Sequence, residues 1–187
     1  MGIFDKLFSN SKADNSDVGK PINTDAYKKI VSIIDFNGAA TAQAYDCIDD
    51  PAGYYEKNKD QYEERSVTDG NDLNEIIWLG LVDIFIEKDL MDEMDFKVEL
   101  TDFVYSINNI VSDDFLTIEE EWFDSEEDIS TWSAIVNEKW KSLGYVLACM
   151  DIDSDSYCTF IAKIKEYDIL TEVARKTGHR IDSAQNM

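Results

Sequence analysis

Residues 145–164 read YVLACMDIDSDSYCTFIAKI. Two apolar runs, Tyr145 to Ile152 and Tyr157 to Ile164, flank the polar tetrad Asp153-Ser154-Asp155-Ser156. Asp and Ser form turns readily, and here they stand between β-branched and aromatic residues, so the stretch predicts a β-hairpin. A turn centred on Ser154 and Asp155 pairs Ile152 with Tyr157 and Met150 with Thr159. Cys149 then faces Phe160 and Cys158 faces Asp151, which makes the thiols diagonal neighbours and unsuited to a disulfide. Apolar side chains fall on both faces of both runs, so the two strands are expected at the centre of their sheet.

The alternating acids Asp151, Asp153 and Asp155 also invite a metal reading, which the spacing does not support. A calcium loop requires Gly at its sixth position and a bidentate Glu at its twelfth. Counted from Asp151, those positions are Ser156 and Ala162. A phosphatase of the paired-aspartate type needs a long α/β body downstream, and only 34 residues follow Asp153. The aspartates are therefore read as a turn, with no catalytic residue, metal or cofactor assigned. A carboxylate-based, divalent-metal-dependent enzyme with its site near Asp151, Asp153 and Asp155 stands as the alternative.

Upstream of the hairpin the period is helical. Tyr27, Ile30, Val31, Ile33 and Ile34 describe one face after a cap at Asn23 or Thr24, and Gly38 interrupts it. A short helix is expected in AATAQAYDCI and another segment from Pro51. NDLNEIIWLGLVDIFIEKDL is apolar around most of its circumference, which predicts a helix at the centre of a core, capped by Asn71 or Asp72. MDEMDF alternates like a short strand, and KVELTDFVYSINNIV returns to helical spacing. Residues 115–130 read as irregular or as an edge strand, and DISTWSAIVNEKWKSLG as a helix with Trp132, Ile135, Val136 and Trp140 inward. Downstream, KEYDILTEVARKTG reads as a helix ended by Gly178, and HRI as a short strand. His179, the single histidine, is expected at the surface. Together these predict an α+β fold: a small, mostly antiparallel sheet that includes the 145–164 hairpin, packed against several helices.

The N-terminal stretch MGIFDKLF places Ile3, Phe4, Leu7 and Phe8 at helical spacing, and SNSKADNSDVGKP behind it reads as a linker. The domain outline is thus an arm over residues 1–22 with a short amphipathic helix, followed by one α+β domain over 23–187. The apolar run is too short for a signal-peptide core or a membrane span. Three cysteines without CxxC spacing suit reduced thiols and a cytoplasmic setting.

Three stretches, IIWLGLVDIF, EMDFKVELTDF and MDIDSDSYCTFIA, are followed by a short helix and Gly178-His179-Arg180-Ile181. In that order they resemble a bacterial family of uncharacterised proteins, a domain of unknown function. In that family a Trp-containing helix, an acidic–aromatic–Lys segment and a DSDSY hairpin recur. The matching positions are Trp78, Asp83, Asp95, Phe96, Lys97, Asp153, Ser154, Asp155 and Tyr157, within residues 71–182. The resemblance implies the domain outline and no activity. Lys97 is expected to pair with an aspartate, as a structural ion pair or as part of a polar pocket floor with Asp95, Asp153 and Asp155.

Charge bears on partners. The 187 residues hold 17 basic and 40 acidic side chains, a net charge of −23. Such a field repels nucleic-acid phosphates and attracts cations or basic protein surfaces. Between Asp83 and Asp128 stand 17 acidic residues and only two lysines. Within that stretch Trp122 and Phe123 follow Glu119, Glu120 and Glu121, an arrangement suited to an apolar anchor inside an anionic rim. The function expected from the sequence is a non-enzymatic protein-interaction module that recognises a basic partner. By charge and size alone it is like an immunity protein, without nucleic-acid binding or integral membrane association.

Overall fold

The computed structural model describes residues 21–113 and 115–187. The expected helix at Ile3–Phe8, and all but the last two residues of the arm, lie outside them. Asn23 begins the regular structure: its side-chain oxygen accepts from Ala26 N at 3.2 Å and caps α1 (Thr24–Ile34). Tyr27, Ile30, Val31 and Ile34 are buried along one face of this helix, whereas Ile33, expected on the same face, is only half-buried. Three short helices follow: α2 (Thr41–Asp49), α3 (Pro51–Lys57) and α4 (Lys59–Glu64). Asp50 accepts from Gly53 N to start α3, with Pro51 in the first turn, where its missing N–H costs no helical bond.

Helix α5 (Leu73–Glu87) is capped by Asp72, which accepts from Asn74 N at 2.8 Å, and it buries residues around its whole circumference. Gly80 allows α5 to lie against its neighbours. A Cβ there would collide with the Tyr62 hydroxyl and come within 2.7 Å of Cys47 Sγ. After β1 (Asp92–Asp95) and α6 (Leu100–Ile110) the chain is irregular, except for a single 3-10 turn at Glu120–Trp122. No strand forms among the described residues of 115–130. Helix α7 (Ile129–Lys141), β2 (Tyr145–Met150), β3 (Ser156–Lys163), α8 (Ile164–Thr177) and β4 (Ile181–Ser183) complete the fold. Gly178 ends α8 in the left-handed region, φ 89°, which L side chains adopt only with strain.

The four strands form one antiparallel sheet in the order β1-β3-β2-β4, so the 145–164 hairpin supplies its two central strands. Helices cover both faces. On one side Ala148, Met150, Cys158, Phe160 and Ile181 join α1, α5 and α8 in the larger core. On the other, Met94, Leu147 and Cys149 pack with Phe103 of α6 and with Trp132, Val136 and Trp140 of α7. Ile135, expected inward on α7, is only half-buried.

The hairpin register differs from the sequence expectation by one residue. Met150 pairs with Cys158 and Cys149 with Thr159, leaving 151–155 as a five-residue connection. The extra residue is accommodated by Asp153, which adopts φ 54° in the left-handed region that Asp tolerates better than most residues. Asp153 N donates to Asp151 Oδ1 at 3.0 Å, and Ser156 N donates to Ser154 Oγ at 3.1 Å. A one-residue shift turns every side chain of one strand to the opposite face relative to its partner. Cys149 and Cys158 are consequently in different cores, and all three cysteines are free and buried.

Candidate functional site

The connection between β2 and β3 is tied down from both sides. Trp78 of α5 donates its indole N–H to Asp151 O at 2.7 Å, and Asp151 N donates to Arg180 O at 3.0 Å. Asp151 also forms an ion pair with Arg180, 3.6 Å from Nη1. Arg180 in turn meets Asp182 at 2.9 Å. Burial opposes the charge on Asp182, but hydrogen bonds from Asn186, Arg180 and Tyr167 hold its pKa down at about 2. The turn is therefore a fixed wall of the molecule.

Between this wall, the first turn of α5 and the end of α8 lies a cleft of about 310 Å³. Asp72, Glu75, Trp78, Asp151, Asp153 and His179 line it. His179 is half-buried against Trp78, a correction to its expected surface position. The two rings stack at 4.4 Å with an interplanar angle of 4°. The αL residue Gly178 turns the chain between α8 and β4, which carries His179 back onto α5.

His179 Nε2 lies 3.2 Å from Asn74 O. A carbonyl oxygen only accepts, so Nε2 carries the hydrogen. Burial lowers the His179 pKa below its ordinary 6.5, more than the neighbouring carboxylates Asp153, Asp72 and Glu75 raise it. The imidazole is thus neutral at pH 7 and its Nδ1 is an acceptor. The indole N–H of Trp78 is occupied by Asp151 O, and the backbone N–H groups of Gly178 and His179 donate to Arg175 O and Ala174 O. What the cleft offers a ligand is acceptors: carboxylates and one imidazole nitrogen beside an aromatic stack. Such a lining is complementary to a donor-rich cation.

The residues singled out from the sequence divide among several places. Trp78 and Asp153 meet in this cleft. Ser154, Asp155 and Tyr157 line a second depression with Phe96 and Met187, on the other side of the turn. Asp95 accepts from Lys97 N at 2.8 Å, and the Lys97 ammonium lies 4.7 Å from the Phe96 ring centre; neither residue lines either depression. Asp83 holds Arg65 at 2.6 Å, and Arg65 also meets Glu93 at 2.7 Å. Burial works against the Arg65 charge, but the two carboxylates outweigh it and hold the guanidinium more firmly protonated than usual. Burial pushes the Asp83 carboxyl up. This triad joins α5 to β1 and the segment after α4.

Glu119, Glu120 and Glu121 are exposed, whereas Trp122 and Phe123 are half-buried against the second core. Phe123 meets Phe103 edge-on at 5.8 Å, and Lys139 lies 4.6 Å from the Trp122 ring centre. Those two aromatics are engaged by the protein itself. Sequence reasoning missed Asp72, Glu75 and His179, because the stack that gathers them joins residues 78 and 179, far apart in the chain.

Among the described residues no three His, Cys, Asp or Glu side chains are arranged to hold a metal ion. Nor is any helix among them long and apolar enough to cross a membrane. Residues 26–184 match the model of a family described as a domain of unknown function, DUF6630. No curated protein and no solved structure matches the chain.

Proposed function

The chain belongs to the DUF6630 family, and from that premise we propose that it is a non-enzymatic interaction module that recognises a basic protein partner. The observation that carries this reading is the composition of the cleft beside the Asp151–Asp155 connection. Its carboxylates and the neutral His179 all accept, and the half-buried His179 ring, stacked on the buried Trp78, supplies a flat wall. An arginine or lysine side chain of the partner enters this cleft. A guanidinium suits it best, because it pairs with carboxylates through several N–H groups and lies flat on an aromatic ring. The net charge of −23 speeds encounter with such a partner, and Glu119, Glu120 and Glu121 add to the field outside the cleft.

The test is isothermal titration of the intact protein with a short arginine-rich peptide and with a lysine-rich peptide of equal charge. Binding is expected to weaken steeply between low and high salt. Asp153→Asn and His179→Ala should each weaken it by roughly 2- to 10-fold, the worth of one hydrogen bond or charge contact. Charge reversal at Glu119, Glu120 and Glu121 should slow association and alter residence little. Peptide binding that is equally tight at high salt and in Asp153→Asn would remove the proposal. The carboxylate-enzyme alternative separates in the same instrument. It requires heat on adding magnesium, manganese or calcium that disappears in Asp153→Asn.

A further inference from the structure

The loop that joins α1 to α2 holds the dipeptide Asn37-Gly38. An asparagine before a glycine is open to attack by the next backbone nitrogen, because no side chain shields that nitrogen. The pair occurs once in the protein; each of the other ten asparagines precedes a residue with a side chain. Asn37 and Gly38 are both exposed, and an added Cβ at Gly38 would meet nothing within 4 Å.

The fold prepares the reaction. Ala39 N donates to Asn37 Oδ1 at 2.9 Å, an Asx turn that folds the side-chain amide forward over Gly38. Asn37 Cγ is thereby carried toward the Gly38 nitrogen, and attack becomes a step within one held conformer. The same Ala39 N–H draws electron density from Oδ1, which activates Cγ and stabilises the oxyanion that forms there. The Gly38 N–H reaches Asp35 O only at 3.3 Å, long for such a bond, so its proton is weakly held. Asp35 is buried and keeps the loop closed: its Oδ2 accepts from Ala40 N at 3.1 Å and from the Thr41 hydroxyl.

We propose that Asn37 is a deamidation site, converted to isoaspartate and aspartate in the folded protein. Hydroxide takes the Gly38 amide proton, and the nitrogen forms a bond to Asn37 Cγ. The Cγ–Nδ2 bond breaks, and Nδ2 leaves as ammonia with a proton from water. Water then opens the resulting succinimide at either carbonyl. Opening at the main-chain carbonyl routes the backbone through Cγ, one methylene longer, and leaves a free carboxylate on Cα. Either product puts a new negative charge beside Lys88 and Asp89, which line the same groove as Asn37. The isoaspartyl form also lengthens a loop whose closure rests on Asp35. Asp35 Oδ1 is buried without a hydrogen-bond partner among the described residues, so the bonds at Oδ2 are what hold that carboxylate. The site is independent of the basic-partner reading, because Asn37 lies outside the cleft.

The test incubates the intact protein at pH 8, native and unfolded in guanidinium chloride, and follows it by tryptic digestion and mass spectrometry. Residues 30–57 form one tryptic peptide in which Asn37 is the sole asparagine. This peptide should exchange amide for acid before any other asparagine-containing peptide, at a rate proportional to hydroxide. The native rate should exceed the unfolded rate by about 2- to 10-fold, the worth of one hydrogen bond to the oxyanion. An isoaspartyl methyltransferase should then transfer labelled methyl from S-adenosylmethionine to the same peptide. Asn37→Gln, whose longer side chain cannot close the five-membered ring, should lose both signals from it. Earlier reaction of another asparagine overturns the proposal. So does a native rate equal to or below that of the unfolded chain, which would mean that the fold protects Asn37. Methyl label confined to other peptides also overturns it.

Discussion

Replacing Gly80 by Ala sets two effects of opposite sign against each other. On propensity alone the substitution favours a helix by about 1 kcal/mol. The added Cβ, however, meets the Tyr62 hydroxyl and lies 2.7 Å from Cys47 Sγ, both buried. Tyr62 has no room to retreat without giving up its hydrogen bond to Ile76 O at 2.9 Å. Overpacking a core of this kind costs about 1–3 kcal/mol. Leaving the Ile76 carbonyl buried and unpaired costs about 1–3 kcal/mol more. The clash wins, and Gly80→Ala should destabilise by about 3 kcal/mol net, lowering Tm by about 6–12 °C for a chain of this size. Urea unfolding followed by tryptophan fluorescence measures it, with exposed Gly70→Ala as the control, whose Cβ finds only Thr68 Oγ1 at 3.8 Å. Tyr62→Phe, which deletes the obstructing oxygen, should cost less in the Gly80→Ala background than in the natural protein. A Gly80→Ala protein as stable as the parent, or strict additivity in that cycle, refutes the reasoning.

Arg65→Met removes the shared cation of a partly buried triad. It should destabilise by about 3–5 kcal/mol, because Asp83 and Glu93 are left facing each other. Adding Asp83→Leu should recover a large part of the loss in the same chemical melts. The three thiols should resist Ellman's reagent at pH 8 in the folded protein. All three are buried, and burial raises the Cys47 and Cys149 pKa values to about 12 and that of Cys158 further. Rapid reaction of even one thiol without denaturant contradicts that. His179 titrates lower in the folded chain than its ordinary 6.5, so the folded state binds fewer protons there than the unfolded state. Its contribution is complete above about pH 6.5 and is lost as pH falls toward the lower folded value. The stability gap between the natural protein and His179→Gln should therefore narrow from pH 8 to pH 5 in urea melts; a wider gap at pH 5 defeats the assignment.

Much of the architecture is legible in the chain because its signals are local. The caps at Asn23 and Asp72, the stop at Gly178 and the two-sided apolar runs of β2 and β3 all act within a few residues. Two things were hidden. The hairpin register turned on a single backbone angle, the positive φ of Asp153, and Asp-Ser-Asp-Ser is equally compatible with a four-residue turn. The cleft was hidden for another reason: it depends on which helix covers the connection, and Trp78 meets His179 only once α5 and the α8–β4 corner are in place. Trp122 and Phe123 are the converse case. Their surroundings are strongly acidic, yet they pack on Phe103 and under Lys139, contacts that no local period announces.

The sheet's outermost strands are brief. On one side β1 runs only from Asp92 to Asp95 and is acidic at three of its four positions; on the other, β4 has three residues. Unpaired strand borders are where foreign backbones add on, and growth of that kind is blocked by shortness and like charge. Two longer apolar strands, β2 and β3, are thereby enclosed between guards too short and too anionic to template a fibril. Concentrated solutions should therefore stay free of fibrils at neutral pH, and that tolerance should diminish when Asp92 and Asp95 are replaced by asparagine.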